Sequence, residues 1–379
     1  MMLSALSLIL YKEFHISAFQ LTLLVALKPA SALLAAYWSS IFNQDRKNLV
    51  TNLVIANIAR FVPFLFIFWI HSAWYLIISF GLYMAISRGC VPVWMELFKM
   101  HLCSDKRSKV FVLGNTLEYI GTTLLPVILG IILDFHDKAW HWIFPLTGMI
   151  GLLSTFFLLR VPAHLTQEQV FKQNKLTLPW KQALKLLMTR PDFCRYQIGF
   201  MLGGAGLMIL QPALPIFFVD TLKLNYTEML LALTACKGLG FTLASPIWNR
   251  FFKKSNFFIF SAVVALLAAL FPPLLLCAKW TLPVLFLAYL NYGIMQAGSE
   301  LSWHLSAITF SNKDESFPFS ETNILAVGLR GLIVPFLGSL VLVTAGTTTV
   351  FLLASMLCLL GTLWLVAPQI QKRLLIPKQ

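Results

Sequence analysis

The chain has 379 residues, of which 58% are hydrophobic and only 12% are charged, and its mean hydropathy is +0.78. Soluble domains carry about 25% charged residues, so this chain has too few charges to cover an aqueous surface. A soluble globular protein is therefore excluded, and we expect an integral membrane protein. The six cysteines show neither a C-x-x-C pair nor metal-ligand spacing, so no disulfide framework or zinc site is expected.

Eleven stretches of the chain are long and apolar enough to cross a bilayer. The hydrocarbon core needs about 20 apolar residues in a helix. The predicted spans cover residues 17–42, 48–71, 73–97, 109–133, 140–160, 195–219, 226–249, 256–278, 281–309, 318–344 and 347–367. An apolar stub, residues 1–10, precedes them, and we treat it as structure because it lacks the basic region of a signal peptide.

The basic residues predict the orientation of the spans. The chain has 29 Lys and Arg against 15 Asp and Glu, and 20 of the 29 lie in alternate connections and the C-terminal tail, whereas four lie in the opposite connections. The positive-inside rule places the larger set in the cytoplasm. We therefore expect a multi-pass protein of a bacterial cytoplasmic (inner) membrane with a cytoplasmic C terminus, and no nucleic-acid partner is needed to explain the charge.

One long connection and an internal repeat predict the domain organisation. Residues 161–194 form a linker, whose segment 180–188 is amphipathic at helical spacing and is expected to lie along the inner membrane face. An offset of 209 residues relates Lys28 to Lys237 and Tyr83 to Tyr292, which indicates a duplicated bundle. The predicted parts are helix bundles over 1–160 and 195–367, the linker 161–194 and a cytoplasmic tail 368–379. The offset also predicts that the stub is the last third of a first helix.

Short motifs resemble those of the major facilitator superfamily. Between its second and third helices the family carries G-x-L-x-D-R-x-G-R-R, and here Asp45 and Arg46 match while both glycines are absent. The family's helix-five pattern G-x-x-x-G-P-x-x-G-G, associated with exporters, keeps Gly121, Pro126 and Gly130. Together with the duplicated layout, these motifs make nearly the whole chain similar to this superfamily.

The resemblance implies an all-α membrane protein of two pseudo-symmetric six-helix halves, the first helix being partial. It implies a monomeric secondary transporter that moves a small solute across the lipid bilayer by alternating access, rather than an enzyme, with no cofactor or metal. It also implies gating loops, which hold Asp45, Arg46, Lys47, Arg250, Lys253 and Lys254.

Four basic residues inside spans are candidates for binding an anionic substrate. Lys28 and Lys237 both lie about 11 residues into their spans, roughly 16 Å deep, and are related by the offset. An ionisable group in a span costs about 2.5–3.5 kcal/mol and usually faces a cavity or a partner. The pair predicts an anion clamp, although each Lys could equally pair with an acid or a carbonyl, or extend its ammonium group to the membrane surface.

Two arginines inside spans, Arg88 and Arg330, have planar guanidinium groups that could bind an anion through two hydrogen bonds, or they could have a structural role. Arg60 is expected to be structural.

Proton coupling has three candidate residues. Glu300 and His304 are four residues apart on one predicted helix and share a face, so they could relay protons, or they could form an interhelical hydrogen bond. Glu118 is the alternative proton carrier, or the counter-ion of Arg88.

Other functions stay open at this stage. Export of amphipathic compounds and a non-transporting sensor or scaffold are both compatible with the degenerate motifs. A membrane transferase is disfavoured, because no H-x-x-x-x-D motif, aspartate pair or nucleophile elbow is present. The loop 134–141 contains potential metal ligands, but its tight spacing favours an ordinary polar loop.

Overall fold

A computed structural model describes residues 2–43, 49–101, 104–136, 138–160, 178–311 and 316–374. These residues are almost entirely helical and contain no strand. Contacts between Cα atoms divide the chain into two compact units. The N-terminal unit comprises Met1–Ile16 and Leu23–Leu176, and the C-terminal unit comprises Ser17–Thr22 and Thr177–Gln379.

Six helices contribute to the described part of the N-terminal unit, although residues 18–22 of the second helix belong to the C-terminal unit. They are α1 (Met2–Phe14), α2 (Ala18–Asn43), α3 (Leu49–Leu65), α4 (Ala73–His101), α5 (Ser104–Phe135) and α6 (Trp140–Leu158). Phe64 of α3 stacks on Phe144 of α6 at 6.4 Å and meets Tyr83 of α4 edge-on at 5.9 Å. These aromatic contacts hold α3 between α4 and α6.

The C-terminal unit contains eight α-helices in its described part. They are α7 (Leu178–Thr189), α8 (Pro191–Ile209), α9 (Ala213–Ile216), α10 (Tyr226–Leu230), α11 (Lys237–Lys254), α12 (Phe257–Cys277), α13 (Pro283–Phe310) and α14 (Ser316–Leu374). Two π-helices continue the short helices: Phe217–Thr221 follows α9, and Leu231–Cys236 joins α10 to α11. Gly346, at φ +81°, divides α14 into two parts.

Local sequence explains where several of these helices begin. Asn225 and Glu228 form a capping box at the start of α10. The side chain of Asn256 accepts a hydrogen bond from the Phe258 N–H at 2.9 Å and so caps α12. Pro191 and Pro283 occupy the first helical positions of α8 and α13, where a missing N–H has no cost.

Six stretches of the described chain are long and apolar enough to span a membrane. They are Val50–Phe68, Trp140–Leu158, Pro191–Thr221, Tyr226–Lys254, Phe257–Cys277 and Pro318–Ala367. Among the long helices described in the C-terminal unit, α13 is outside this set although it has 28 residues, because its middle is polar. The protein is therefore an integral multi-pass membrane protein, and α13 is the polar member of the long helices described in its C-terminal unit.

Four tryptophans near helix ends divide into two groups by exposure. Trp74, Trp142 and Trp280 are 47%, 66% and 79% exposed near helix ends, where lipid headgroups would surround them. Trp140 is only 5% exposed and lies 5.0 Å from the Phe14 ring. It therefore packs α1 against α6 instead of facing lipid.

Candidate functional site

Lys237 is the first residue of α11 and directly follows the π-helix Leu231–Cys236. Its side chain is half-buried, and Nζ lies 5.9 Å from the centroid of the Tyr292 ring on α13. This separation is within the range of a cation–π interaction. Single π-helical turns inside membrane helices are frequent at functional sites, so the position of this lysine is itself informative.

Two glycines bring α11 and α13 into backbone contact beside this lysine. A Cβ on Gly293 would collide with the Lys237 carbonyl oxygen and would lie 2.8 Å from the Phe241 nitrogen. A Cβ on Gly240 would collide with the Leu290 carbonyl oxygen. Because only glycine permits this approach, the backbone of Lys237 is fixed next to the turn of α13 that carries Tyr292.

Aromatic rings surround the Tyr292 side of the site. Tyr292 lies 4.8 Å from Phe271, and Tyr289 lies 5.3 Å from Phe271 and 6.2 Å from Phe218. Tyr289 is only 2% exposed, and its hydroxyl has no hydrogen-bond partner among the described residues. A buried hydroxyl without a partner costs about 1–3 kcal/mol, so a bound water or a ligand would be favoured there.

A polar stripe runs along α13 from Tyr292. It continues at intervals of four residues through Gln296, Glu300 and His304, each step being about 6 Å along the helix. The Gln296 amide donates to Glu300 Oε1 at 3.3 Å, and both Glu300 and His304 are exposed. Exposed ionisable side chains in a membrane helix face water rather than lipid. The two exposed ionisable residues of the stripe thus lie in its C-terminal part, whereas Tyr292 and Gln296 are half-buried.

Arg330 packs against α8. Its Nη1 donates to the Phe200 carbonyl at 3.0 Å, and its Cζ lies 5.6 Å from the Phe200 ring centroid. A Cβ on Gly204 would overlap the guanidinium group, so a larger residue there would displace the Arg330 side chain. Nε of Arg330 is buried without a hydrogen-bond partner among the described residues. These contacts join Arg330 to α8, whereas Lys237 lies against α13.

A buried network of neutral polar side chains links four helices. Tyr196 of α8 lies 3.2 Å from the Ser302 hydroxyl of α13, which lies 2.9 Å from the Ser261 hydroxyl of α12. Asn323 of α14 donates to the Ser306 hydroxyl at 2.5 Å. Sequence reasoning did not identify this network, because single hydroxyl residues in apolar helices give no sign of their partners.

Three of the basic residues that the sequence places inside spans belong to the N-terminal unit. Lys28 on α2 and Arg88 on α4 are exposed. Arg60 donates from Nη1 to the Ser87 hydroxyl at 2.9 Å and lies 4.6 Å from the Phe61 ring centroid. Arg60 therefore joins α3 to α4 through a serine and an aromatic ring, as a structural residue does.

Several predicted site residues either lie outside the described residues or are exposed near the end of a helix. Asp45, Arg46 and Lys47 lie outside the described residues, and so does the Glu118 side chain. Arg250, Lys253 and Lys254 are exposed near the end of α11.

In the loop with potential metal ligands, His141 contacts a backbone carbonyl of the same loop and the ring of His71. His141 Nδ1 lies 3.1 Å from the Lys138 carbonyl oxygen, and the His141 ring lies 4.6 Å from the His71 ring. No group of three or more His, Cys, Asp or Glu side chains in the described part of the chain is arranged to hold a metal ion.

Comparisons with known proteins place this arrangement in one family. The sequence profile of the Major Facilitator Superfamily matches residues 1–315, whereas no curated protein sequence matches the chain.

Three solved structures show the fold. A POT family transporter in complex with 5-aminolevulinic acid has a TM-score of 0.73 at 13% identity, covering 97% of this chain and 93% of that chain. The nucleoside transporter NupG, solved as a point mutant, has a TM-score of 0.73 at 12% identity, covering 97% and 94%. A bacterial homolog of the human lysosomal transporter Spinster has a TM-score of 0.61 at 13% identity, covering 97% and 93%. The chain therefore belongs to the Major Facilitator Superfamily, and it is a secondary transporter rather than an enzyme.

Proposed function

We propose that this transporter moves a small organic anion by alternating access and that Lys237 binds the anionic group. The observation that carries the proposal is the position of Lys237, half-buried about 16 Å into its span beside Tyr292. A lysine ammonium is a compact donor suited to carboxylate or phosphate. Ionisable residues at such depth mark substrate and ion pathways.

The orphan hydroxyl of Tyr289 supports a polar ligand in the same region. Tyr289 and Tyr292 are at positions i and i+3 of α13, and their ring centroids are 6.2 Å apart. A substrate oxygen that accepts from Tyr289 while its charge lies near Lys237 would satisfy a buried donor. This adds a neutral contact to the charged one and would help to orient the solute.

Lys28 has the matching role in the N-terminal unit under this proposal. Its assignment rests on the sequence offset of 209 residues that relates it to Lys237 and on its exposed position on α2. Arg88, also exposed, is a further donor. Arg330 is assigned a positioning role, because its guanidinium contacts the Phe200 carbonyl and ring.

Proton coupling is assigned to the C-terminal part of the α13 stripe, which holds Glu300 and His304. Glu300 and His304 are exposed one turn apart, so both can exchange protons with water in the pathway. Glu118 on α5 is the alternative proton carrier.

One fold neighbour was solved with 5-aminolevulinic acid, a carboxylic acid. Its 13% identity shows the fold alone, so the substrate class proposed here rests on Lys237.

The proposal is tested by ligand screening of the purified protein. Thermal shifts are measured with succinate, citrate, inorganic phosphate and tetraphenylphosphonium, and each hit is followed by counterflow in proteoliposomes. We expect stabilisation by an anion, and counterflow of that anion. Stabilisation by no anion, or by tetraphenylphosphonium alone, contradicts the proposal.

The aromatic cluster favours a second candidate, export of amphipathic compounds. Phe218, Phe271, Tyr289 and Tyr292 form an apolar wall beside Lys237 that suits a hydrophobic body. Acid-inhibitable efflux of tetraphenylphosphonium without anion counterflow would support this candidate and exclude the first.

A further inference from the structure

Helix α7 presents three different faces around its circumference. At about 100° per residue, Ala183, Leu186 and Leu187 fall in one sector, and Trp180, Leu184 and Met188 fall in the next. Lys181 and Lys185 follow at the edge of the second sector. An ordinary amphipathic surface helix has only one apolar face, so the second apolar sector requires an explanation.

The first sector is buried against the C-terminal unit. Ala183 is 8% exposed, and Leu186 and Leu187 pack on a cluster that contains Phe193, Tyr196 and Phe319. α7 is therefore docked on the bundle and is not a loose connection.

The second sector is left uncovered by the rest of the C-terminal unit. Trp180 is 38% exposed, Leu184 is 57% exposed and Met188 is 74% exposed. These side chains stand at intervals of four residues, so they form one continuous stripe. Its length, two turns, is about 12 Å.

The position of α7 directly before a membrane-spanning helix indicates that lipid covers the stripe. Arg190 alone separates α7 from Pro191, where the membrane-spanning helix α8 begins. The end of a membrane span lies at the depth of the lipid headgroups, so α7 lies at that depth too. Lys181 and Lys185 are both exposed beside the stripe, which gives this edge a positive charge.

We propose that α7 is an interfacial anchor whose stripe enters the bilayer surface while Lys181 and Lys185 bind anionic phospholipid headgroups. Basic side chains next to an apolar face are attracted to anionic lipid, and Trp is favoured at the headgroup level. Two lysines at such a surface correspond to about a 30-fold shift in the docking equilibrium. This inference does not depend on the identity of the transported solute.

Hydrogen exchange of the full-length protein in nanodiscs tests the headgroup contact. The exchange of backbone amides in residues 181–189 is compared in phosphatidylcholine alone and in phosphatidylcholine mixed with phosphatidylglycerol. We expect exchange slower by up to about 30-fold with phosphatidylglycerol. Equal exchange in the two lipids overturns the proposal.

Charge-reversed variants assign the effect to α7. Lys181→Glu with Lys185→Glu is expected to abolish the lipid dependence. Lys253→Glu with Lys254→Glu, which makes the same change of charge at the exposed end of α11, is expected to retain it. Lipid dependence that persists in the α7 variant overturns the proposal.

Fluorescence quenching tests the apolar stripe separately. The emission contributed by Trp180 is taken as the difference between the wild type, which has 11 Trp, and Trp180→Phe. Brominated phosphatidylcholine is expected to quench this difference. A difference that brominated lipid leaves unchanged shows that Trp180 is outside the bilayer and overturns the insertion of the stripe.

Discussion

Replacement of Lys237 by Gln is expected to weaken anion binding by roughly 10- to 150-fold. A hydrogen bond to a charged group contributes about 1.5–3 kcal/mol, and a half-buried ammonium beside Tyr292 is screened less than a surface lysine. A surface ion pair would contribute only about 0.2–1 kcal/mol, corresponding to less than about sixfold. The size of the effect therefore reports whether Lys237 binds its ligand inside the protein.

The assay is the dissociation constant of the anion identified by thermal shift, measured by equilibrium dialysis on the purified variants. Lys237→Arg retains the charge and is expected to bind more tightly than Lys237→Gln. Lys279→Gln is the matched control, since Lys279 loses the same charge at an exposed position between α12 and α13. If Lys237→Gln binds the anion as tightly as Lys279→Gln does, the assignment of Lys237 is refuted.

Three further predictions concern coupling, the repeat and packing. Glu300→Gln is expected to lose accumulation driven by an acid gradient while keeping counterflow, and counterflow lost to the same degree as accumulation would contradict coupling at this residue. Lys28→Gln combined with Lys237→Gln is expected to abolish anion uptake in proteoliposomes, and unchanged uptake would contradict the clamp. Gly293→Ala is expected to lower Tm, because overpacking costs about 1–3 kcal/mol. Gly203→Ala, whose Cβ would meet the Ala265 Cβ at an ordinary 3.5 Å, is expected not to lower Tm, and equal Tm values for the two variants would contradict the close contact.

Helix positions follow closely from the apolar pattern, because a bilayer leaves the backbone no partner outside its own helix. The predicted span 256–278 corresponds to α12, Phe257–Cys277, and the span 140–160 corresponds to α6, Trp140–Leu158. The gap predicted between residues 344 and 347 contains Gly346, whose positive φ divides α14. Fold class and family are likewise confirmed.

The π-helices are the part of the fold that the pattern could not predict. Their sequences, Phe-Phe-Val-Asp-Thr and Leu-Ala-Leu-Thr-Ala-Cys, contain no Gly or Pro that would mark a change of helix type. The second leads directly into the contact of α11 with α13 at Gly240 and Gly293. A π-helix shifts the backbone hydrogen bonds by one residue relative to an α-helix, and the local sequence gains no stability from this shift. It depends on tertiary packing, which the pattern of apolar residues along the chain does not reveal.

Candidate site residues could be selected from the sequence because charged residues are rare inside membrane spans, whereas the residues that surround them could not be predicted. An intramembrane charge is conspicuous in any sequence, so Lys237, Arg330 and Glu300 could be selected without a structure. The contacts of Lys237 and Arg330 include an aromatic ring and a backbone carbonyl on other helices. Aromatic rings and backbone carbonyls occur all along apolar helices. The sequence therefore did not predict that Tyr292 contacts Lys237 or that Phe200 contacts Arg330.

The polarity of exposed side chains distinguishes lipid-facing surfaces from water-facing ones. On α6 the exposed residues include Trp142, Leu146 and Leu153, all apolar, as a lipid contact requires. The C-terminal half of α13 exposes Glu300 and His304 instead. A carboxylate facing hydrocarbon would cost about 2.5–3.5 kcal/mol without any return, whereas in an aqueous pathway the same exposure has little cost. The polar composition that keeps α13 below the hydropathy of its neighbours is therefore what the proposed pathway-lining role requires of this helix.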